Sequence, residues 1–185
     1  MIGIRFHEGQ GLGNQLWLYA SAHSIAQYHN TELTIYSHEN FKGNSFLSLD
    51  GNSSMNRPQI QSDSLTQDIS IFREHLYYDQ QLDYYASLYD ARVESINRKS
   101  ILEGLYQSEL YLDLGCIHLS NIIKLSLELQ KYSKEFASTC ILNIRGGEYK
   151  RYGNLILPRS YWLKAIDNMQ KVCDVERYLI VTDDQ

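Results

Sequence analysis

The sequence predicts an α/β fold built on parallel strands, and three observations predict it. The N-terminal stretch reads as strand, glycine loop, helix, strand. The C-terminal stretch repeats that order. The first strand of that second stretch, Thr139-Cys140-Ile141-Leu142-Asn143-Ile144, is a mostly apolar run, the pattern of a strand buried on both faces rather than on one.

In order along the chain, residues 1–7 alternate well enough for a first strand, and Glu8-Gly9-Gln10-Gly11-Leu12-Gly13-Asn14 breaks it. A helix follows up to Asn30, with Leu16, Tyr19, Ala20, His23, Ile25 and Ala26 recurring on its faces. Residues 31–37 form a second strand around Leu33 and Ile35, which completes a βαβ unit. Residues 38–68 are rich in Ser, Asn, Asp and Gln and read as loop with short elements. Residues 69–100 carry tyrosine pairs at 77–78 and 84–85 and read as partly helical, and residues 101–107 as a strand. Residues 119–136 read as an amphipathic helix through Ile122, Ile123, Leu125, Leu127 and Leu129. A second unit follows: strand 139–144, a helix over 158–172 with Pro158 at its start, and strand 177–182. The expected organisation is a first Rossmann-like domain over residues 1–137 and the start of a second, truncated one over 138–185.

Bulk properties exclude several classes. The 185 residues are 43% hydrophobic and 21% charged, an ordinary balance for a globular chain. Net charge is −5 and no run of Lys or Arg follows a phosphate backbone, so nucleic acid is not the expected partner. No stretch approaches the roughly 20 apolar residues that span a bilayer. Met1-Ile2-Gly3-Ile4-Arg5-Phe6 enters a strand directly and lacks the basic and apolar regions of a signal peptide. Cys116, Cys140 and Cys173 are widely spaced, without metal-ligand clustering, and read as reduced, mostly packed thiols of a cytoplasmic protein. The 15 tyrosines suit either the edges of a core or a sugar-binding cleft.

Three motifs carry chemistry. Gly11-Leu12-Gly13-Asn14-Gln15 lies between strand and helix, where glycines admit a ligand close to the backbone and the helix N-terminus offers unpaired N–H groups to a diphosphate. Asn14 and Gln15 add neutral donors. The same glycines also suit a tight connection with no ligand at all, and Leu16 stands where a dinucleotide fingerprint has its third glycine. Asn143-Ile144-Arg145-Gly146-Gly147-Glu148-Tyr149 ends a buried strand, where Arg145 is placed to fork onto phosphate oxygens or, alternatively, to pair with Glu148. Asp183 and Asp184 follow the last strand and can accept from a ribose or base, or cap a helix. His7 and Glu8, beside the glycine loop, are candidates for a general base.

Together these segments resemble the α-1,2-fucosyltransferases, a GT-B-fold family that uses GDP-fucose. Gly11-Leu12-Gly13-Asn14-Gln15-Leu16 with Tyr19-Ala20 looks like the family's opening segment, and Gly104-Leu105-Tyr106-Gln107-Ser108-Glu109-Leu110-Tyr111 is similar to its Gln-Ser-Glu stretch. Residues 143–149 stand in the place of a His-Ile-Arg-Arg-Gly-Asp-Tyr motif. Ser160-Tyr161-Trp162 with Ala165-Ile166 resembles the next helix, and residues 178–184 the strand that ends in paired aspartates. The resemblance implies a metal-independent, inverting transfer of fucose to a galactose-containing glycan, with Arg145 stabilising the departing GDP. It implies a donor site drawn from Gly11, Gly13, Asn14, Gln15, Asn143, Glu148, Asp183 and Asp184, and a cytoplasmic protein, with peripheral association at the inner face of the membrane. The chain departs from the family where Asn143 replaces its histidine, Gly146 its second arginine and Glu148 its aspartate. A non-catalytic glycan- or nucleotide-binding relative, or a same-fold transferase for another nucleotide sugar, are the alternatives.

Overall fold

The computed structural model describes residues 1–49, 59–61, 69–81, 83–132, 135–151 and 156–182. The chain divides into two compact units, Met1–Ser126 and Leu127–Gln185.

The first unit contains β1 (Ile2–Arg5), α1 (Leu12–Tyr28), β2 (Leu33–Tyr36), β3 (Leu47–Ser48), β4 (Gln59–Gln61), β5 (Ser70–Arg73), β6 (Leu76–Asp79), β7 (Tyr84–Ser87), β8 (Ser100–Glu103), α2 (Glu109–Leu114), α3 (Leu119–Ile122) and β9 (Lys124–Leu125). Its main sheet has the order β4-β2-β1-β8-β5, and every neighbouring pair is parallel. β1 sits at the centre, so strand order reverses between β1 and β8. In open parallel sheets the crevice outside the carboxyl ends at such a reversal is where ligands bind.

Ile2, Ile4 and Phe6 run through the centre of the core with no exposed surface, joined by Ile25 of α1 and Ile35 of β2. Complete burial of side chains this size contributes about 1.5–3 kcal/mol each. α1 is buried nearly all round, including Gln15, Ser21, His23 and Ser24. Small residues allow this: Ser21 Oγ donates to Tyr106 O (2.9 Å), and Ser24 Oγ accepts from Gly115 N (2.8 Å). A Cβ on Gly115 would lie 2.4 Å from Ser24 O, so the segment after α2 can approach α1 only as glycine.

Two expectations are corrected here. Residues 69–100 are strands rather than helix: β5, the β6–β7 hairpin, and a short 3-10 turn over Ala91–Ser95. Cross-strand pairing of Tyr78 with Tyr85, rings 4.9 Å apart, suits the aromatic pairs to a pleated surface. Residues 119–136 are not one helix. Ile123 is extended (φ −126, ψ 122), and β9 pairs antiparallel with β3 through Leu47 and Leu125. Ile123 and Leu125 stand two apart, the spacing of one face of a strand, while Leu127 and Leu129 fall in a separate short helix over Leu127–Gln130.

The second unit holds α4 (Leu127–Gln130), β10 (Thr139–Ile144), α5 (Arg159–Val172) and β11 (Arg177–Thr182). β10 and β11 pair in parallel from Thr139↔Arg177 to Ile144↔Thr182, the βαβ order expected from the sequence. α5 starts one residue after Pro158, whose φ of −68 and ψ of 156 place it at the N-cap. The three cysteines are free thiols, but Cys116 and Cys173 are exposed rather than packed. Among the described residues no helix is long and apolar enough to cross a membrane.

Candidate functional site

α1 begins without the usual devices that close a helix N-terminus. Gly11 occupies the N-cap in an extended conformation, offers no side-chain cap, and no acidic residue follows in the first turn. The first N–H groups of a helix have no intrahelical acceptor and carry the positive end of its dipole. A Cβ on Gly9, Gly11 or Gly13 would meet nothing within 4 Å. Packing therefore does not demand these glycines, and the space beside them stays open for a ligand to approach the backbone.

Asn14 and Gln15 have different fates. Gln15 is fully buried, its Nε2 donating to Asn40 O (2.8 Å) and its Oε1 accepting from Lys42 N (2.9 Å). Gln15, expected in the donor site, has its amide engaged within the protein, where it ties the loop after β2 to α1. Asn14 is half-buried, and its Oδ1 accepts from Gln107 Nε2 at 2.8 Å. That bond joins the glycine loop to the Gly104–Tyr111 segment across 93 residues of chain.

A buried carboxylate anchors the second segment. Glu74, directly after β5, is only 7% exposed. Its Oε2 accepts from Leu105 N (2.7 Å) and Tyr106 N (2.9 Å), while Oε1 accepts from Tyr111 Oη (3.1 Å) and from Ser87 Oγ. Ser87 Oγ in turn accepts from Gln107 N (2.7 Å). Such charge-assisted bonds explain how Tyr106 is held at φ +51, a conformation that costs a Cβ-bearing residue about 1–2 kcal/mol. Gly104 is equally required, because a Cβ there would lie 2.6 Å from Glu74 Oε2. Burial raises the Tyr106 and Tyr111 phenols well above their usual range, with the Glu74 carboxylate adding to the effect, so both stay neutral donors.

A cleft of about 420 Å³ opens at the carboxyl ends of β1 and β8, where strand order reverses. Arg5, His7, Gln10 and Glu103 give it polar walls, and Ile71, Ile101 and Leu102 apolar ones. Glu103 is paired with Arg73 at 2.9 Å. Beside α1 lies a second, apolar hollow of about 260 Å³ that includes Gly13, Trp17 and Leu112.

In the second unit Arg145 is exposed just beyond β10, and its guanidinium lies over the Tyr149 ring, 4.6 Å from the centroid. Asn143 is exposed near the carboxyl end of β10, paired with Val181 in β11. Glu148 opens a 3-10 turn over Glu148–Arg151. Asp183 and Asp184 lie outside the described residues. Glu74, Ser87 and Gln107 carry the architecture of the first unit's site; Gln107 lies in the Gly104–Tyr111 segment singled out in the sequence, whereas no spacing rule marks Glu74 or Ser87. The signal available is positional: Glu74 and Gln107 each follow a strand end of the parallel sheet.

No protein-family model and no curated protein matches the sequence. Solved structures do. The chain is similar to the crystal structure of fucosyltransferase NodZ from Bradyrhizobium, at 16% identity and a TM-score of 0.54, over 99% of this chain and 72% of that one. NodZ alpha-1,6-fucosyltransferase soaked with GDP-fucose gives a TM-score of 0.51 at 17% identity, over 99% and 71%. The same enzyme co-crystallised with GDP gives 0.50 at 16%, over 99% and 71%. The chain shares an α/β fold with these fucosyltransferases.

Proposed function

We propose that this chain is a glycosyltransferase that moves fucose from GDP-fucose, with inversion, to a hydroxyl of a galactose-containing glycan in α-1,2 linkage. The observation that carries the reading is the open, uncapped glycine turn of α1 beside a cleft at the sheet's reversal point. Likeness in fold to NodZ structures obtained with GDP-fucose and with GDP supports the donor. The motif resemblance supports the galactoside and the α-1,2 linkage.

In this reading the glycine backbone at Gly11 and Gly13, with Asn14, receives the donor. The motif resemblance assigns Arg145 the charge on the departing diphosphate and counts Asn143, Glu148, Asp183 and Asp184 among the donor residues. The acceptor oxygen bonds to the anomeric carbon as the bond from that carbon to the β-phosphate oxygen breaks. The electron pair leaves on GDP, and the acceptor proton passes to a base. Charge neutralisation comes from Arg145 and backbone N–H groups, so a chelator leaves the rate unchanged.

The test is incubation with GDP-fucose and a terminal β-galactoside, followed by NMR assignment of the product linkage. An α-1,2-fucosylated galactoside is the expected product. Transfer in α-1,6 linkage would keep the donor and overturn the acceptor and linkage. Transfer from another nucleotide sugar alone, or none from any donor, would reject the reading.

A further inference from the structure

His7 stands where β1 delivers its side chains to the cleft at the sheet's reversal point. Phe6 is fully buried, stacked on Phe41 with ring centroids 5.2 Å apart, and its N–H donates to Tyr36 O (3.2 Å). The ladder with β2 therefore continues one residue past Arg5. Alternation along the chain then puts Arg5 and His7 on one face and Phe6 on the other, and Arg5 and His7 both line the cleft. His7 also opens a turn in which Gln10 N donates to His7 O at 3.0 Å, so its backbone is held while its side chain is exposed. Glu8, the other candidate beside the glycine loop, is exposed and does not line the cleft. Among the described residues, the ionisable side chains on the cleft wall are Arg5, His7 and Glu103. A guanidinium keeps its proton and only donates. Glu103 Oε2 is already held by Arg73 Nε at 2.9 Å. An imidazole is the group on this wall that takes up and returns a proton near neutral pH.

Resting on the transfer proposed above, we infer that His7 is the general base that takes the proton of the acceptor hydroxyl. The acceptor sits in the first unit's cleft, and its O–H proton passes to a ring nitrogen of neutral His7. As it does, an electron pair of that oxygen forms the bond to the anomeric carbon. The bond from that carbon to the β-phosphate oxygen breaks, and its electron pair leaves on GDP. His7 ends the step as imidazolium and returns the proton to water. A neutral imidazole carries one lone pair on a ring nitrogen in either tautomer, so the assignment does not depend on how the ring is turned. The charged groups around His7 are Arg5 on its own strand, Glu8 beside it, and Glu103 after β8 with Arg73 of β5 paired to it.

The experiment measures fucose transfer from GDP-fucose to lactose across a range of pH by the parent, His7→Gln, His7→Ala, Glu103→Gln and Glu8→Gln. Melting curves and calorimetric titration of GDP accompany each variant, so that loss of folding or of donor binding is seen separately. The expected result is kcat/KM about 100-fold lower or worse in His7→Gln at neutral pH, with GDP binding like the parent's. The fall in rate on the acid side of the parent's pH profile should disappear in His7→Gln, because the group that must lose its proton is gone. Imidazole added to the assay should restore part of the rate of His7→Ala. A folded His7→Gln that transfers at the parent's rate would overturn the inference. So would an unchanged acid limb, a loss of GDP affinity as large as the loss of rate, or a deep loss confined to Glu103→Gln or Glu8→Gln. A parent that transfers no fucose would reject the functional reading itself, and this inference with it; a parent that transfers while the His7 variants match it rejects the inference alone.

Discussion

The two parallel βαβ arrangements in this molecule look alike in sequence and differ in burial. In β1, Ile2 and Ile4 have no exposed surface, whereas in β11 Ile180 is 61% exposed and all six residues are exposed. α1 buries ten residues from Gln15 to Ala26, and α5 buries none. A parallel strand's apolar run becomes stabilising only when layers cover both faces. The first unit supplies those layers to β1; β10 and β11 pair with each other and leave Ile141, Leu179 and Ile180 in solvent. The same strand chemistry thus yields a buried core in one region and exposed apolar strands in the other.

The sharpest way to break this comparison is a matched pair of truncations. Ile4→Ala should cost about 3–4 kcal/mol in urea unfolding, through lost transfer and a cavity, while Ile180→Ala should change stability by less than about 0.5 kcal/mol. Equal costs would show that β11 is as deeply covered as β1. Next in size is the buried carboxylate: Glu74→Gln should cost about 2 kcal/mol by weakening bonds to Leu105 and Tyr106 N–H. It should also loosen the Gly104–Tyr111 segment, seen as faster amide exchange there and not in β10.

A smaller effect depends on pH. Hydrogen bonds from the Arg92 guanidinium hold Asp90 down to about 2, with His75 N and Arg92 N also donating and partial burial opposing. A lowered carboxylate contributes its stability above its ordinary range, about pH 4, and loses it as pH falls through about 2. Asp90→Asn should therefore melt below the parent at neutral pH, and the gap should close between about pH 4 and 2. The smallest effect has the opposite sign. Gly13→Ala lies in the first turn of α1 with open space around it, so it should stabilise by about 0.5–1 kcal/mol. The added methyl should nonetheless weaken GDP binding, which would separate the glycine's ligand role from its role in folding.

Both βαβ units are legible in the sequence because their strands are short apolar runs bounded by glycine, proline and polar residues. The β6–β7 hairpin is not, since Tyr77, Tyr78, Tyr84 and Tyr85 carry no helical or alternating polarity that separates one face from the other. In the site, the glycine loop is legible from Gly11 to Asn14. The partners of Gln15 are not legible, because nothing in its sequence neighbourhood shows that its amide bonds to Asn40 and Lys42. Glu74 is invisible in sequence for a different reason. A single acid gains its meaning only when β5 and β8 pair and bring it beneath Leu105 and Tyr106.

Calorimetric titration of GDP, UDP and ADP into the chain tests the proposed guanosine diphosphate site most directly. Binding of GDP in preference to UDP and ADP is the predicted result. No binding of GDP, or equal binding of all three, would contradict it.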